Sequence, residues 1–207
     1  MRFNGRDKIP FFSLISSTLS FIFLTLFRVY MSNIDYFINS WASSIYSPTL
    51  TMIAIFISIT FDVNSLIFLT ILFCIFLCIK HRIFIGSIVF VGSILGNAIT
   101  VYLIKEFIRS PRPLNMVINE VGFSFPSGHA SSITVFTMIS SYILFKKDII
   151  HNKLPLISLY AFLVFIVCFN RIYLNVHWFS DVLGGFILGV AWTSLAIMIL
   201  QHKIFKC

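Results

Sequence analysis

FPSGHASSITVFTMISSYILF, residues 125–145, decides how this chain is read. From Ser127 onward the stretch has the length of a membrane-crossing helix. Its first residues bring a proline, a glycine, a histidine and three serines to the point where that helix begins. A polar patch at the mouth of an apolar segment needs a purpose other than solubility.

The surrounding chain settles the solvent. Of 207 residues, 58% are hydrophobic and 11% charged, and 25 are phenylalanine. A water-soluble domain of this size carries far more charge, so the bilayer is the expected environment. Apolar runs at about 11–30, 64–79, 83–104, 127–145, 154–173 and 179–200 make six expected spans. No small-x-small cleavage site follows the first run in VYMSNID, so it is expected to be an uncleaved helix and not a signal peptide. The run LTMIAIFISIT (50–60) is short for a crossing and suits an interfacial or partly inserted helix. With no fixed-period repeat and no linker, residues 1–207 read as a single membrane-embedded domain. The expected fold is all-α, a polytopic bundle of six transmembrane helices with an extra interfacial helix after the first span.

Charge orients that bundle. Six spans place both ends of the chain on one side, together with the loops KHR (80–82) and KKDIIHNK (146–153). Ten of the 15 Lys and Arg residues fall there, which makes it the cytoplasmic side. The net charge of +8 comes with no basic stripe or tail, so nucleic acid is not the partner. Cys74, Cys78 and Cys168 lie inside apolar runs and Cys207 is the last residue, a pattern of packed side chains and not of disulfides or zinc. Arg28, Lys105, Arg109, Arg112 and Arg171 fall on the opposite face and require another explanation.

Three clusters supply one. Lys105 is followed by EFIRSPRP, in which Pro111 and Pro113 impose an extended or turning backbone around Arg112. This is a reasonable anion clamp, or a set of cations contacting lipid headgroups. Ser127 and Gly128 lie at a helix N-terminus, where unpaired amides and the helix dipole favour phosphate and a glycine lets it approach closely. The same residues also read as an ordinary helix cap. His129 follows and could donate a proton. In NRIYLNVHWFSD (170–181), His177 and Asp181 stand four apart, one turn on a common helix face. A carboxylate that holds one imidazole nitrogen frees the other as nucleophile or base. The pair is also a fragment of a metal site, but His81, His151 and His202 lie on the cytoplasmic side and cannot complete it. Topology joins the three clusters on the non-cytoplasmic face. Cations, a helix N-terminus and two histidines gathered there describe a phosphate pocket able to perform phosphoryl transfer.

The chain resembles the type 2 phosphatidic acid phosphatases, the PAP2 superfamily of membrane lipid phosphatases that also includes the vanadium haloperoxidases. The family pattern is K-x6-RP, PSGH and SR-x5-H-x3-D. Lys105 with Arg112–Pro113, Pro126–His129, and Arg171, His177 and Asp181 match it in order. Asn170 departs from the usual serine, although asparagine also donates and accepts hydrogen bonds. The resemblance implies that His177 attacks phosphorus to form a phosphohistidine, that Asp181 orients it, and that His129 protonates the leaving group. It also implies that Lys105, Arg112, Ser127, Gly128 and Arg171 hold the phosphoryl oxygens, with no metal or other cofactor. A phosphorylated lipid is then the substrate and the membrane the partner, with the site opening outward from a bacterial inner membrane.

Gly92-x3-Gly96 and Gly185-x3-Gly189 are expected to let helices approach closely. An anion transporter would need ionisable residues deep in several spans, which are missing. A non-catalytic lipid-phosphate binder would be expected to have lost a histidine or the aspartate. Undecaprenyl diphosphate, or a broad range of lipid phosphates, is the expected substrate, ahead of phosphatidylglycerophosphate and lipid A phosphates.

Overall fold

The computed structural model describes residues 8–204, with side chains to His202. Arg2, Arg6, Lys206, Cys207 and the side chain of Lys203, all used in the sequence reading, lie outside the described residues. The described chain is helical and contains no strand. α1 (Lys8–Phe27) continues through a 3-10 turn (Arg28–Met31) into α2 (Ser32–Ser44). α3 (Pro48–Thr60), α4 (Val63–His81), α5 (Phe84–Ile108), α6 (Gly128–Lys146), α7 (Lys153–Tyr173) and α8 (Phe179–Ile204) follow.

Local chemistry sets these boundaries. Ser47 accepts a hydrogen bond from the Leu50 amide (3.2 Å) with Pro48 at the first helical position, which starts α3. Asp62 caps α4 through the Asn64 amide (3.1 Å). α4 and α5 both stop at an arginine in the left-handed region, Arg82 (φ 54°) and Arg109 (φ 51°). Beyond Arg109 the SPRP run keeps the chain out of helix, as the two prolines require.

α6 is the innermost helix. It packs against α4, α5, α7 and α8, while α8 also lies along α1. Inward-facing Thr134, Thr137 and Ser140 return their hydroxyls to the carbonyls of Ala130, Ile133 and Phe136 (2.7, 2.8 and 2.6 Å), so they are buried without orphaned donors. The opposite surface of the bundle is apolar. Phe12, Phe23, Phe56, Phe68, Leu103 and Phe162 all project outward. Lipid is the solvent that tolerates such a coat, and the protein is an integral membrane protein.

Among the described residues, five helical segments are long and apolar enough to cross a membrane: Lys8–Ser44, α4, α5, α7 and α8 as far as His202. α6, expected as a sixth, forms at the expected place but is diluted by the serines and threonines that face its neighbours. The run 50–60, expected as an interfacial helix, forms within the short apolar α3, and α2 precedes it as a separate helix. Cys74, Cys78 and Cys168 are free thiols inside helices.

The glycine pairs behave unequally. A Cβ on Gly189 would meet the Ser131 carbonyl oxygen and Thr134 Cβ, both at 2.7 Å, and one on Gly185 would collide with the Ser127 carbonyl. Gly96 abuts the Trp192 ring, whereas a Cβ on Gly92 meets nothing within 4 Å. The α6–α8 seam therefore depends on Gly185 and Gly189, and Gly92 faces open space. Gly189→Val is expected to destabilise the detergent-solubilised protein by about 1–3 kcal/mol through overpacking. Gly92→Val should leave its thermal melting temperature unchanged. Equal melting temperatures for the two variants would refute this seam.

Candidate active site

The ends of α5, α6, α7 and α8, with the loop 109–127, meet at one end of the bundle. This convergence joins residues far apart in sequence. The Ser127 amide donates to the Asp181 carbonyl (3.0 Å), tying the start of α6 to that of α8. The Val117 amide donates to the Leu174 carbonyl (2.9 Å), tying the long loop to the α7–α8 turn.

His177 is buried in that turn, two residues before α8. It was expected on a helix face with Asp181. The structure instead uses Asp181 to close the turn, because its Oδ2 accepts from the Trp178 amide (2.8 Å). The pairing survives: His177 Nδ1 lies 3.6 Å from Asp181 Oδ2 and 3.4 Å from Ser124 Oγ. Ser124 also donates to Asp181 Oδ2, so a hydroxyl braces carboxylate and imidazole together. The other ring nitrogen, Nε2, is 3.5 Å from Arg112 Nη1. Burial, followed by the Arg171, Lys105 and Arg112 charges, holds His177 well below its usual pKa. Its imidazole is thus neutral at neutral pH, with one nitrogen directed at the carboxylate side and one at the cations.

Three cations stand near His177, with Arg112 on its Nε2 side. Lys105 Nζ donates to the Phe123 carbonyl (2.8 Å) from the last turn of α5. Arg112 donates from Nε to the Gly122 carbonyl (3.0 Å) and from Nη1 to the Val176 carbonyl (2.8 Å). Burial lowers the Arg112 pKa, opposed by Glu120. Arg171 is fully buried at the end of α7, with Nη1 on Ser58 Oγ and Nη2 on Glu120. Its Nε has no protein partner. Glu120 also lies 3.5 Å from Arg112. Burial alone would raise this carboxyl, but Arg171 and Arg112 outweigh it and hold Glu120 below the usual carboxylate range.

Ser127 caps α6 by accepting from the Ala130 amide (3.5 Å). A Cβ on Gly128 would meet Val63 (3.4 Å) and Val101 (3.6 Å), so that face of the glycine looks toward α4 and α5 and not toward the arginines. His129 Nε2 is 3.2 Å from the Ser58 carbonyl and 3.6 Å from Asp62 Oδ1. It borders a cleft of about 320 Å³ lined also by Ile59, Asp62, Ile118 and Glu120. Asn170, which stands where the family pattern has serine, is buried with neither side-chain polar atom hydrogen-bonded. Nothing in the structure explains that choice.

Several residues at this end escaped the sequence reading. Asp35 on α2 accepts from the Ser180 amide (2.8 Å) and hydroxyl (2.7 Å), satisfying the first turn of α8. Asn39 donates to Asn175 and to the His177 carbonyl (3.4 Å), bracing the turn from outside. Arg28, singled out in the sequence only by its side of the membrane, packs over the Phe125 ring (4.9 Å) and donates to Ser110. The available signal was scarcity. Of 7 acidic residues in the chain, Asp35, Asp62, Glu120 and Asp181 all stand at this end.

A buried neutral imidazole facing fixed cations can meet an oxyanion and attack its central atom. Known proteins share the sequence and the fold that carry this arrangement. Over 97 residues the chain is 35% identical to phosphatidylglycerophosphatase B of Bacillus subtilis (strain 168), covering 42% of this chain and 45% of that protein. It is 29% identical over 120 residues to the dolichyldiphosphatase of Saccharomyces cerevisiae, covering 51% of this chain and 48% of the yeast protein. The chain thus spans about half the length of the curated relatives it matches. The crystal structure of a transmembrane PAP2 type phosphatidylglycerolphosphate phosphatase from Bacillus subtilis superposes with a TM-score of 0.87 at 24% identity, over 94% of this chain and 98% of that one. Aquifex aeolicus LpxE gives a TM-score of 0.60 at 20% identity, over 79% of this chain and 94% of its own. The PAP2 superfamily pattern itself matches residues 86–205, more than half of the sequence and all of the Lys105, Arg112, His129, Arg171, His177 and Asp181 cluster, so the chain belongs to the PAP2 superfamily.

Proposed function

We propose that this protein is a membrane-embedded phosphatase that removes the terminal phosphate of a lipid through a phosphohistidine on His177. The observation that carries the proposal is the two-sided environment of His177, with Nδ1 toward Asp181 and Ser124 and Nε2 3.5 Å from Arg112. A neutral imidazole held in this way has its Nε2 lone pair available on the side where a phosphate would meet cations.

In this reading, Lys105, Arg112, Arg171, Ser127 and the Gly128 amide neutralise charge on the phosphoryl oxygens. Nε2 of His177 forms a bond to phosphorus as the bond from phosphorus to the leaving oxygen breaks. His129, beside the cleft, gives its proton to that oxygen. A water then attacks the phosphohistidine, its proton passes to His129, and inorganic phosphate leaves with His177 restored. Asp181 stabilises the positive charge that His177 acquires while it carries the phosphoryl group. The fixed cations do the work that a metal would otherwise do, so turnover is expected to persist in chelator.

The same reading takes α6 as a sixth membrane crossing, with residues 1–207 as one domain. α3 then lies at the interface, both ends of the chain are cytoplasmic, and the cluster opens outward. A bacterial inner membrane fits this arrangement. Undecaprenyl diphosphate, or a broad range of lipid phosphates, is the substrate favoured, supported by the relative named a dolichyldiphosphatase. Phosphatidylglycerophosphate is the second reading, supported by the relative named for it.

The test is phosphate release by purified protein in detergent with chelator, against undecaprenyl diphosphate, phosphatidylglycerophosphate, phosphatidate and lipid A. Release is expected, fastest from undecaprenyl diphosphate. No release from any of the four would overturn the lipid phosphatase reading.

A further inference from the structure

Glu120 projects from the loop between α5 and α6 into the cation cluster. Its Oε1 pairs with Arg171 Nη2, and its Oε2 lies 3.5 Å from Arg112 Nη2. The remaining contacts of the two guanidiniums are with neutral groups: the Gly122, Val121 and Val176 carbonyls and the His177 ring for Arg112, and Ser58 for Arg171. A carboxylate therefore sits on the two cations that the proposed function assigns to phosphate. It stands on their open side. The side chain of Arg171 is fully buried and that of Arg112 is 7% exposed, against 26% for Glu120. Glu120 also lines the cleft beside His129, which gives the carboxylate somewhere to go.

A membrane creates a particular difficulty for such a site. Every anionic phospholipid around it carries a phosphodiester, at a local concentration far above that of any substrate. Three bare cations in a low-dielectric pocket would hold that phosphodiester tightly. We propose that Glu120 is a charge filter, a resident carboxylate that a terminal phosphate displaces and a phosphodiester does not. The inference rests on the assignment of Arg112 and Arg171 to phosphate.

The reasoning is one of exchange. A phosphodiester carries one negative charge and so does Glu120, so replacing one by the other leaves the pocket's net charge unchanged and breaks a preformed pair. A terminal phosphate carries about −1.5 to −2 at neutral pH and three acceptor oxygens. Its entry adds charge opposite to Lys105, Arg112 and Arg171, and its third oxygen can occupy a donor that a carboxylate cannot reach. Discrimination then arises at a position that takes no part in bond making.

The test measures phosphatidate hydrolysis in mixed micelles at fixed surface fraction of substrate. Phosphatidylglycerol, an anionic phosphodiester, or zwitterionic phosphatidylcholine makes up the remaining lipid. For the wild type, the ratio of KM in phosphatidylglycerol to KM in phosphatidylcholine is expected to stay near one. For Glu120→Gln, which keeps shape and one hydrogen bond but loses the charge, the ratio is expected to rise about tenfold, the size of a typical single charge-assisted contact. Glu120→Asp, which retains the charge, should restore most of the wild-type ratio. A purely structural ion pair would lower stability without changing which lipid competes. Equal ratios for wild type and Glu120→Gln would overturn the filter, as would a wild type already inhibited by phosphatidylglycerol. The wild-type arm applies even if the glutamine variant does not fold. Absence of turnover in every sample would count against the phosphatase reading instead. The filter would then be decided by thermal stabilisation with short-chain phosphatidylglycerol, expected for Glu120→Gln and not for wild type; equal stabilisation of both would overturn it.

Discussion

His177→Ala is expected to abolish phosphate release while leaving the bundle folded. The loss should reach roughly four orders of magnitude or more, because the residue would supply the bond-forming electron pair and no neighbouring group can replace it. Ser124 and Asp181 would remain to bind a phosphate oxygen or water, but neither stands in the place of Nε2. Stability should suffer less than activity. His177 is held by the turn that Asp181, Asn39 and Asn175 define, and none of those hydrogen bonds involves the ring. Two readouts separate the explanations. Phosphate release should fall below detection, and rapid acid-free quenching with a labelled lipid should trap phosphoprotein in wild type but none in the variant. Retention of more than about a tenth of the wild-type rate by a folded variant would sink the covalent mechanism. The direction of the pH effect follows from the same site. Burial and three cations depress the His177 pKa, so its free lone pair persists to lower pH than an ordinary histidine would allow.

Much of this site is local in sequence. The proline turn around Arg112, the serine cap of α6 and the histidine–aspartate spacing are each set by residues within one or two turns of one another, and the structure places them at the same end of the bundle. Helix existence was equally accessible, because runs such as 83–104 have no alternative to helix in lipid. What escaped depends on packing between distant segments. Glu120 has no pattern around it, and its meaning comes only from Arg112 and Arg171 arriving on either side. Asp35 and Asn39 belong to α2, outside the stretch that matches the family, yet they hold the turn that carries His177. α6 was expected as a span, yet it is not among the described helices apolar enough to cross by composition. Its hydroxyl groups lower its apolarity, while their hydrogen bonds back to the helix make them inexpensive to bury. Gly92 shows the converse error. Its spacing from Gly96 suggests a contact face, but only packing reveals that nothing lies opposite it.

Replacing His129 with alanine should cost activity in proportion to how much the leaving group needs a proton. Its Nε2 stands 3.2 Å from the Ser58 carbonyl and 3.6 Å from Asp62 Oδ1, and it borders the cleft that would receive the leaving oxygen. A lipid phosphate monoester expels an alkoxide whose conjugate acid is about as weak as water. A lipid diphosphate expels a phosphate monoester, whose second pKa is about 6. The first requires protonation as the bond breaks; the second scarcely does. The monoester is therefore expected to lose roughly 10²–10⁴-fold in turnover, the usual range for removal of a general acid. The diphosphate should lose much less, because water activation in the second step is then the only work left to His129. The comparison is made on phosphatidate and undecaprenyl diphosphate with the same variant preparation, so that any folding defect cancels from the ratio. Equal losses on the two substrates would remove the acid role from His129 and leave it a structural neighbour of Asp62. Unequal losses in the predicted order would place its proton on the leaving oxygen. They would also explain how one pocket could process both monoesters and diphosphates at very different chemical cost.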